Sequence, residues 1–335
     1  MYEVSTAAKV RLHLQAMAEP SPVAPSLRPR VSVLMPVFNT VRYLDEALCS
    51  ISNQSFADFE LVVVDDGSTD GSRALLESHL AIEPRMRLIS RGNRGLVRTR
   101  NELLDAARGE LAAWMDSDDI SLPDRLARQV QSFDEDRRLV CVSGSVECID
   151  EDGVAIYVET YPQEHEEIVK LHADGGGLRF GASMMNTALA RAVGGFREPF
   201  VYGEDFDLLL RLSEQGRMAN FPDVLLRYRH HASSTTSRLG SSWPAYRDVI
   251  LQLAHERRTE GSDRLQRGET VVVDTTRFAE ESAARRHARM ARRAMLNGRS
   301  VAALKHAWEA IRADPVDSIG WRLLVRVCVG SVFRG

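Results

Sequence analysis

The strongest chemical signal in the chain is Asp116, Ser117, Asp118 and Asp119, which follow directly on the apolar run Leu111, Ala112, Ala113, Trp114 and Met115. Several carboxylates at the end of a buried strand repel one another unless a positive charge is shared among them. A hard divalent cation supplies that charge, and carboxylate oxygens suit magnesium or manganese, an ion that can also hold a diphosphate. A solvated acidic turn capping a helix from Leu122 would use the same residue types, and Asp119 suits that helper role.

Tyr202, Gly203, Glu204, Asp205, Phe206 and Asp207 form a second cluster, with Leu208, Leu209, Leu210 and Leu212 behind it. Glu204 and Asp205 open an amphipathic helix, whose dipole stabilises anions. An ionised carboxylate there either caps the helix or takes a proton from an attacking hydroxyl. Asp65 to Asp70 follow the strand Leu61 to Val64 and lead into another helix. A carboxylate in that position either accepts hydrogen bonds from a base edge or ribose, or belongs to a plain turn capped by Thr69 or Asp70. Around the next helix start stand Arg91, Asn93, Arg94, Gly95, Arg98, Arg100 and Asn101. Guanidinium groups and free helix amides favour a diphosphate. Arg94, Arg100 and Asn101 are the better candidates, and Arg91 and Arg98 read as solvated. Tyr228, Arg229, His230 and His231 precede a run of Ser and Thr; such a His pair is structural or a metal or phosphate contact.

These clusters fall at the ends of predicted strands. Val31 to Val37, Glu60 to Asp65, Met86 to Ser90 and Leu111 to Met115 read as strands, alternating with helices over Val41 to Asn53, Asp70 to Leu80, Gly95 to Arg108 and Leu122 to Phe133. That alternation predicts an α/β fold, a Rossmann-like, mostly parallel sheet flanked by helices, with ligands at the carboxyl ends of its strands. Two antiparallel strands, Leu139 to Ile149 and Val154 to Thr160, follow, then a helix from Gln163, a flexible loop at Gly175 to Gly177, short and long helices from Asn186 and Glu204, and a strand from Met218 to His230. Three further helices are predicted over 279–329, with a single tetratricopeptide-like hairpin among them. The domain boundaries expected are 1–29 for an N-terminal helix and Pro-rich linker, 30–240 for the catalytic domain, and 241–335 for a helical C-terminal region.

The 335 residues carry four cysteines with no Cys-x-x-Cys pair, so neither a disulfide framework nor a zinc knuckle is indicated. The N-terminus has no secretory pattern, and no run of about 18 apolar residues occurs. A cytoplasmic protein is expected. Net charge is −4, which argues against a nucleic-acid binder. From Phe278 onward, however, eleven Lys or Arg face five Asp or Glu. That basic tail is either the solvated face of helices or an attraction to an anionic membrane, giving peripheral contact at its inner face.

In order and spacing these segments resemble the family 2 glycosyltransferases of the GT-A fold, from Val31 to about Thr236. The resemblance rests on Pro36, Val37 and Asn39, the Asp65 to Asp70 block, Asn93 to Asn101, Asp116 with Asp118, Gly194 and Gly195, Glu204 with Asp205, and the His231 segment. It implies that Pro36, Val37, Asn39, Asp65 and Asp66 line the nucleotide, that Arg94 approaches the diphosphate, and that Asp116 and Asp118 hold Mn2+ or Mg2+. Asp205 would be the catalytic base, Glu204 its neighbour on the acceptor side, and His231 a further contact to metal or diphosphate. The donor implied is a UDP-, GDP- or dTDP-sugar, and the acceptor a glycan, lipid-linked or protein hydroxyl, with inversion at the anomeric carbon. The Gln-x-x-Arg-Trp motif and membrane spans of processive members are missing, which points to single addition. Two rivals differ in class. A nucleotidyltransferase would need a Gly-rich basic loop after the first strand, where Phe38 to Arg42 stand instead, and a catalytically dead adaptor would not need Asp116, Asp118 and Asp205.

Overall fold

A computed structural model describes residues 28–174, 176–276 and 281–332. The expected N-terminal helix and Pro-rich linker, and Gly175 of the glycine loop, lie outside the described residues.

The described residues group into two compact units. One comprises the chain up to Ser145 together with Tyr161–Leu226, and the other comprises Val146–Thr160 together with the chain from Arg227.

In the first unit, β1 (Val31–Val37), β2 (Phe59–Asp65), β3 (Met86–Ser90) and β4 (Leu111–Trp114) lie parallel in the order β3-β2-β1-β4. Every residue of β2 and β4 is buried, as expected of unbroken apolar runs covered on both faces. The register pairs Val37 with Asp65, so β1 and β2 end side by side and their loops emerge together. Helices α1 (Val41–Ser52), α2 (Ser72–Leu80) and α3 (Leu96–Ala106) follow the first three strands, and α4 (Arg125–Glu135) follows β5 (Ile120–Ser121).

Beyond β4 the sheet turns antiparallel. The strands β6 (Leu139–Ile149), β7 (Ala155–Glu159), β8 (Met184–Asn186) and β9 (Arg217–Arg229), with β5 at the edge beside β9, complete it. β8 runs antiparallel to β4, through Ala113 opposite Met184, and β6 runs antiparallel to β8, through Cys141 opposite Met185. The sheet is therefore mixed, with the expected parallel part β3-β2-β1-β4 extended by antiparallel strands. β8 has three residues, too few to show an alternation, and it changes the sheet's direction. Helices α5 (His165–Ala173), α6 (Thr187–Ala192) and α7 (Glu204–Ser213) belong to the same unit. Its core joins Leu34, Val62 and Trp114 to Phe180, Phe196 and Leu208, so the sheet's centre and the start of α7 share one packed interior.

In the second unit, β7 pairs with the end of β6, Val146 opposite Glu159, and the connecting turn is tied by Asp150, whose Oδ1 accepts from Asp152 N and Val154 N at 3.0 and 2.9 Å. Helices α8 (Thr235–Leu239), α9 (Trp243–Glu260), α10 (Ala283–Leu296), α11 (Ser300–Ala313) and α12 (Ser318–Val332) follow. The last three pack through Ala288, Ala291, Ala307 and Ala310, small residues that let helices approach closely, with Leu323 filling the space beside them. Lys305 reaches from α11 to Asp150 and Asp152, at 2.5 and 2.7 Å, and anchors this helical group on the hairpin. Among the described residues no helix is long and apolar enough to cross a membrane.

Candidate active site at the carboxyl ends of the strands

The loops after β1 and β2 are bound to each other before any ligand is considered. Asn39 adopts φ 53°, in the left-handed region that Asn tolerates better than most residues. Its backbone N donates to Ser68 Oγ at 3.0 Å, and its Oδ1 accepts from Thr69 N at 2.8 Å. Asp70 accepts from Val41 N at 3.0 Å and from Ser72 Oγ at 2.6 Å, so it links the starts of α1 and α2. Burial pushes the Asp70 carboxyl up, but hydrogen bonds from Ser72 and Val41 outweigh that and leave it below its ordinary value. Asp65 is buried and accepts from Ser68 N at 3.0 Å.

Asp66 does the corresponding work for the third loop. Its carboxylate accepts from Arg94 N at 2.7 Å and Gly95 N at 3.0 Å, just ahead of α3, and from the Arg91 guanidinium. Arg91 also pairs with Glu102 at 2.6 Å. Arg91 is therefore a mostly buried strut and not the solvated residue expected, because two carboxylates converge on it. Arg98 is exposed and pairs with Glu198, in keeping with the expectation. The Arg94 residue is exposed, Val37 is buried and Pro36 partly so.

Asp116 and Asp118 follow β4, and the turn closes with Asp119 N on Asp116 O at 3.3 Å. The backbone of Gly181 stands against this turn. A Cβ there would meet Asp116 Oδ2 at 2.9 Å and Asp119 Oδ2 at 3.4 Å, so only glycine leaves both carboxylates in place. Behind them lies Arg125, 1% exposed, its Nη2 donating to Trp114 O at 2.7 Å and Ser183 O at 3.1 Å. Burial pulls its guanidinium down to about 10, while the negative charges of Asp119 and Asp116 oppose that shift.

Arg100, on α3, is buried between the two acidic clusters. Its Nη1 lies 2.5 Å from Glu204 Oε1 and its Nη2 3.4 Å from Asp116 Oδ1. The guanidinium stacks over Phe180 at 4.6 Å and Phe196 at 5.7 Å, rings that flank Trp114. Burial raises the Asp116 carboxyl; Arg100 lowers it, and Asp118 and Asp205 raise it further. Glu204 is pushed up as well, first by burial, with Arg100 opposing and Asp205 adding. Glu204 is thus committed to Arg100 in the interior, while Asp205 is the more exposed of the pair, its Oδ1 accepting from Phe206 N at 2.7 Å.

Asp207, by contrast, is fully buried between Arg197 and Arg211, the latter at 2.7 Å. Arg211 continues to Val193 O and Gly195 O, at 2.5 and 2.6 Å. The same loop is held from α3 by Asn101, which gives and takes a hydrogen bond with Phe196, each 2.8 Å. Gly195 has φ 59° and a Cβ would sit 2.6 Å from Asn101 Oδ1, so this contact requires glycine. Asn101 is occupied by that loop rather than by an anion. His172 packs 4.3 Å from the Phe206 ring and bonds Phe206 O at 3.2 Å. Burial lowers it to about 4, against the Phe206 carbonyl and Asp205, so it is neutral near neutrality. His231 belongs to the second unit, where its Nδ1 lies 2.9 Å from Ser233 Oγ. Sequence reasoning missed Arg125 and His172, recognisable only through partners distant in sequence, and the Arg197–Asp207–Arg211 clamp, whose i,i+4 pair on α7 looks like a surface pair until its burial is seen.

The model of glycosyl transferase family 2 matches residues 32–193. EpsE of Bacillus subtilis is 32% identical over 217 residues, 63% of this chain and 76% of that protein. The chain belongs to glycosyl transferase family 2. This glycosyltransferase is also 30% identical over 210 residues to the chondroitin synthase of Escherichia coli, covering 62% of its own length but 30% of the synthase. The crystal structure of residues 1–349 of Staphylococcus aureus TarS in complex with UDP-GlcNAc superposes with a TM-score of 0.55 at 20% identity, over 90% of this chain and 87% of that one. That likeness shows the GT-A-like fold of this glycosyltransferase, a curled α/β sheet flanked by helices.

Proposed function

We propose that this glycosyltransferase moves one sugar from a nucleoside-diphosphate sugar to an acceptor hydroxyl, with inversion, in the synthesis of a surface polysaccharide or another glycan. The observation that carries the reading is the meeting of Asp116, Glu204 and Asp205 around the buried cation Arg100. One carboxylate of this group, Asp205, is left accessible enough to take the acceptor's proton.

The donor end is assigned to Pro36, Val37, Asn39 and Asp65 for the nucleoside and to the exposed Arg94 for the diphosphate. Asp66 serves it indirectly, by holding the backbone from which Arg94 projects. A divalent cation fits Asp116 and Asp118. Their donor set is hard oxygen, burial first and then repulsion from Asp118 raise the Asp116 carboxyl against the pull of Arg100, and Gly181 leaves the space that a Cβ would take. Mn2+ or Mg2+ bound there would offset charge developing on the nucleoside diphosphate leaving group. Arg100 orients Asp116 and Glu204, and the helix start at Glu204 holds Asp205 toward the acceptor. Single addition is supported by the missing Gln-x-x-Arg-Trp motif after Asp205.

The exposed Arg285, Arg289 and Arg292 on α10, with Trp321 and Val325 exposed on α12, support peripheral contact with an anionic membrane that carries the acceptor. The deciding experiment is a panel of UDP-, GDP- and dTDP-sugars scored for nucleoside diphosphate release with and without Mn2+ or Mg2+. Release from one donor class that needs both cation and Asp205 supports the reading; no release from any donor, under any cation, sinks it.

A further inference from the structure

Away from the carboxylate cluster, a second set of metal-ligating side chains meets on the helices beneath the donor loops. Asp45 and Cys49 are four positions apart on α1 and so share one face of that helix. His79, in the last turn of α2, is 2% exposed, and its Nε2 lies 2.8 Å from Asp45 Oδ1. One ligand atom from each of the three residues lies within 4.8 Å of the others. No Cys-x-x-Cys spacing announces this group, because its members come from two helices.

We propose that Asp45, Cys49 and His79 form a binding site for a borderline-soft divalent cation of the zinc class. Imidazole, thiolate and carboxylate are the ligands such an ion prefers, at about 2.0 to 2.3 Å, and three of them leave a fourth position for water. The ion takes the place of the hydrogen between His79 Nε2 and Asp45, and that proton passes to Nδ1, so the imidazole stays neutral. Cys49 gives up its thiol proton to solvent. Thiolate, carboxylate and dication then sum to zero charge, which suits a place with His79 buried, Cys49 half-buried and Asp45 open to solvent on one side. Without an ion the Cys49 thiol is pushed up to about 11, first by burial and then by Asp45 and Glu46. Cation binding therefore displaces one proton across the neutral range, and apparent affinity should rise about tenfold per pH unit. The ion would cross-link α1 to α2, the helices already joined at their starts through Asp70.

The test is titration of metal-free full-length protein with Cd2+ in millimolar Mg2+, reading the thiolate-to-cadmium charge-transfer band, with Zn2+ as competitor. The site predicts one equivalent per chain, displaced by Zn2+ and raising the melting temperature. The band should vanish in Cys49→Ser, weaken by roughly 10- to 100-fold in His79→Gln, and persist in Cys328→Ser and Asp116→Asn. Absence of the band in the wild type, its survival in Cys49→Ser, or an unchanged affinity in His79→Gln would each overturn the proposal.

Discussion

Arg100 and Glu204 are 104 positions apart in the chain and form a buried ion pair at 2.5 Å. Neither has access to water as a substitute partner. Arg100→Met should therefore destabilise the protein by about 3–5 kcal/mol, the usual cost of stranding one member of a buried pair. Adding Glu204→Gln should recover part of that loss. Urea unfolding of the two single variants and the double variant checks it, and strict additivity would show that the pair is not coupled.

Asp205→Asn should leave folding and donor affinity intact, since an amide oxygen can still accept from Phe206 N. Transfer should fall by roughly 10² to 10⁴. Paired measurements of donor affinity and turnover decide the matter, and near wild-type turnover would falsify Asp205 as the base.

Chelation should abolish transfer, with Mn2+ or Mg2+ restoring it. Gly181→Ala offers a sharper probe, because the added methyl would press on Asp116 Oδ2 at 2.9 Å. Expected is a right-shifted cation dependence of activity with little change in melting temperature; an unaltered cation curve would remove Asp116 from the cation's shell.

Asp207 should behave in the opposite way from Asp205. Asp207→Asn leaves Arg197 and Arg211 facing each other without a counter-charge, so the defect should appear as lost stability, about 3–5 kcal/mol, rather than as a slow but well-folded enzyme. Chemical denaturation beside a turnover assay separates the two outcomes.

Acid sensitivity should come from buried histidines. Burial lowers His306 from 6.5 to about 4, with Asp150 opposing and His287 reinforcing the shift. Protons then bind the unfolded chain before the folded one, so stability declines as pH falls from about 6.5 to about 4 and levels off below. His306→Asn should flatten this decline, as read from melting temperature across that window, with the remaining slope carried by His172 and His287, both also lowered first by burial.

Much of the architecture was readable from local pattern. The alternation of apolar runs with amphipathic ones located β1 to β4 and α1 to α4, because each strand and helix is written in contiguous residues. The three-residue β8 and two-residue β5 carry no such pattern and exist because neighbouring strands accept them. The acidic clusters were visible for the same local reason. What each carboxylate does was not, since Asp66, Asp207 and Glu204 look alike in sequence and differ in burial and in the arginines that meet them, Arg91, Arg197 with Arg211, and Arg100.

Asp66 illustrates where this molecule can change over generations. Its oxygens are engaged by Arg94 N, Gly95 N and Arg91, so even a conservative replacement would disturb the loop as well as the site. Phe38 and Arg94, at the same edge of the sheet, are exposed and contribute little to that framework. Mutational drift is thus channelled toward the exposed side chains at this edge of the sheet and away from those that hold the platform, so the surface here can change its chemistry without first costing the fold.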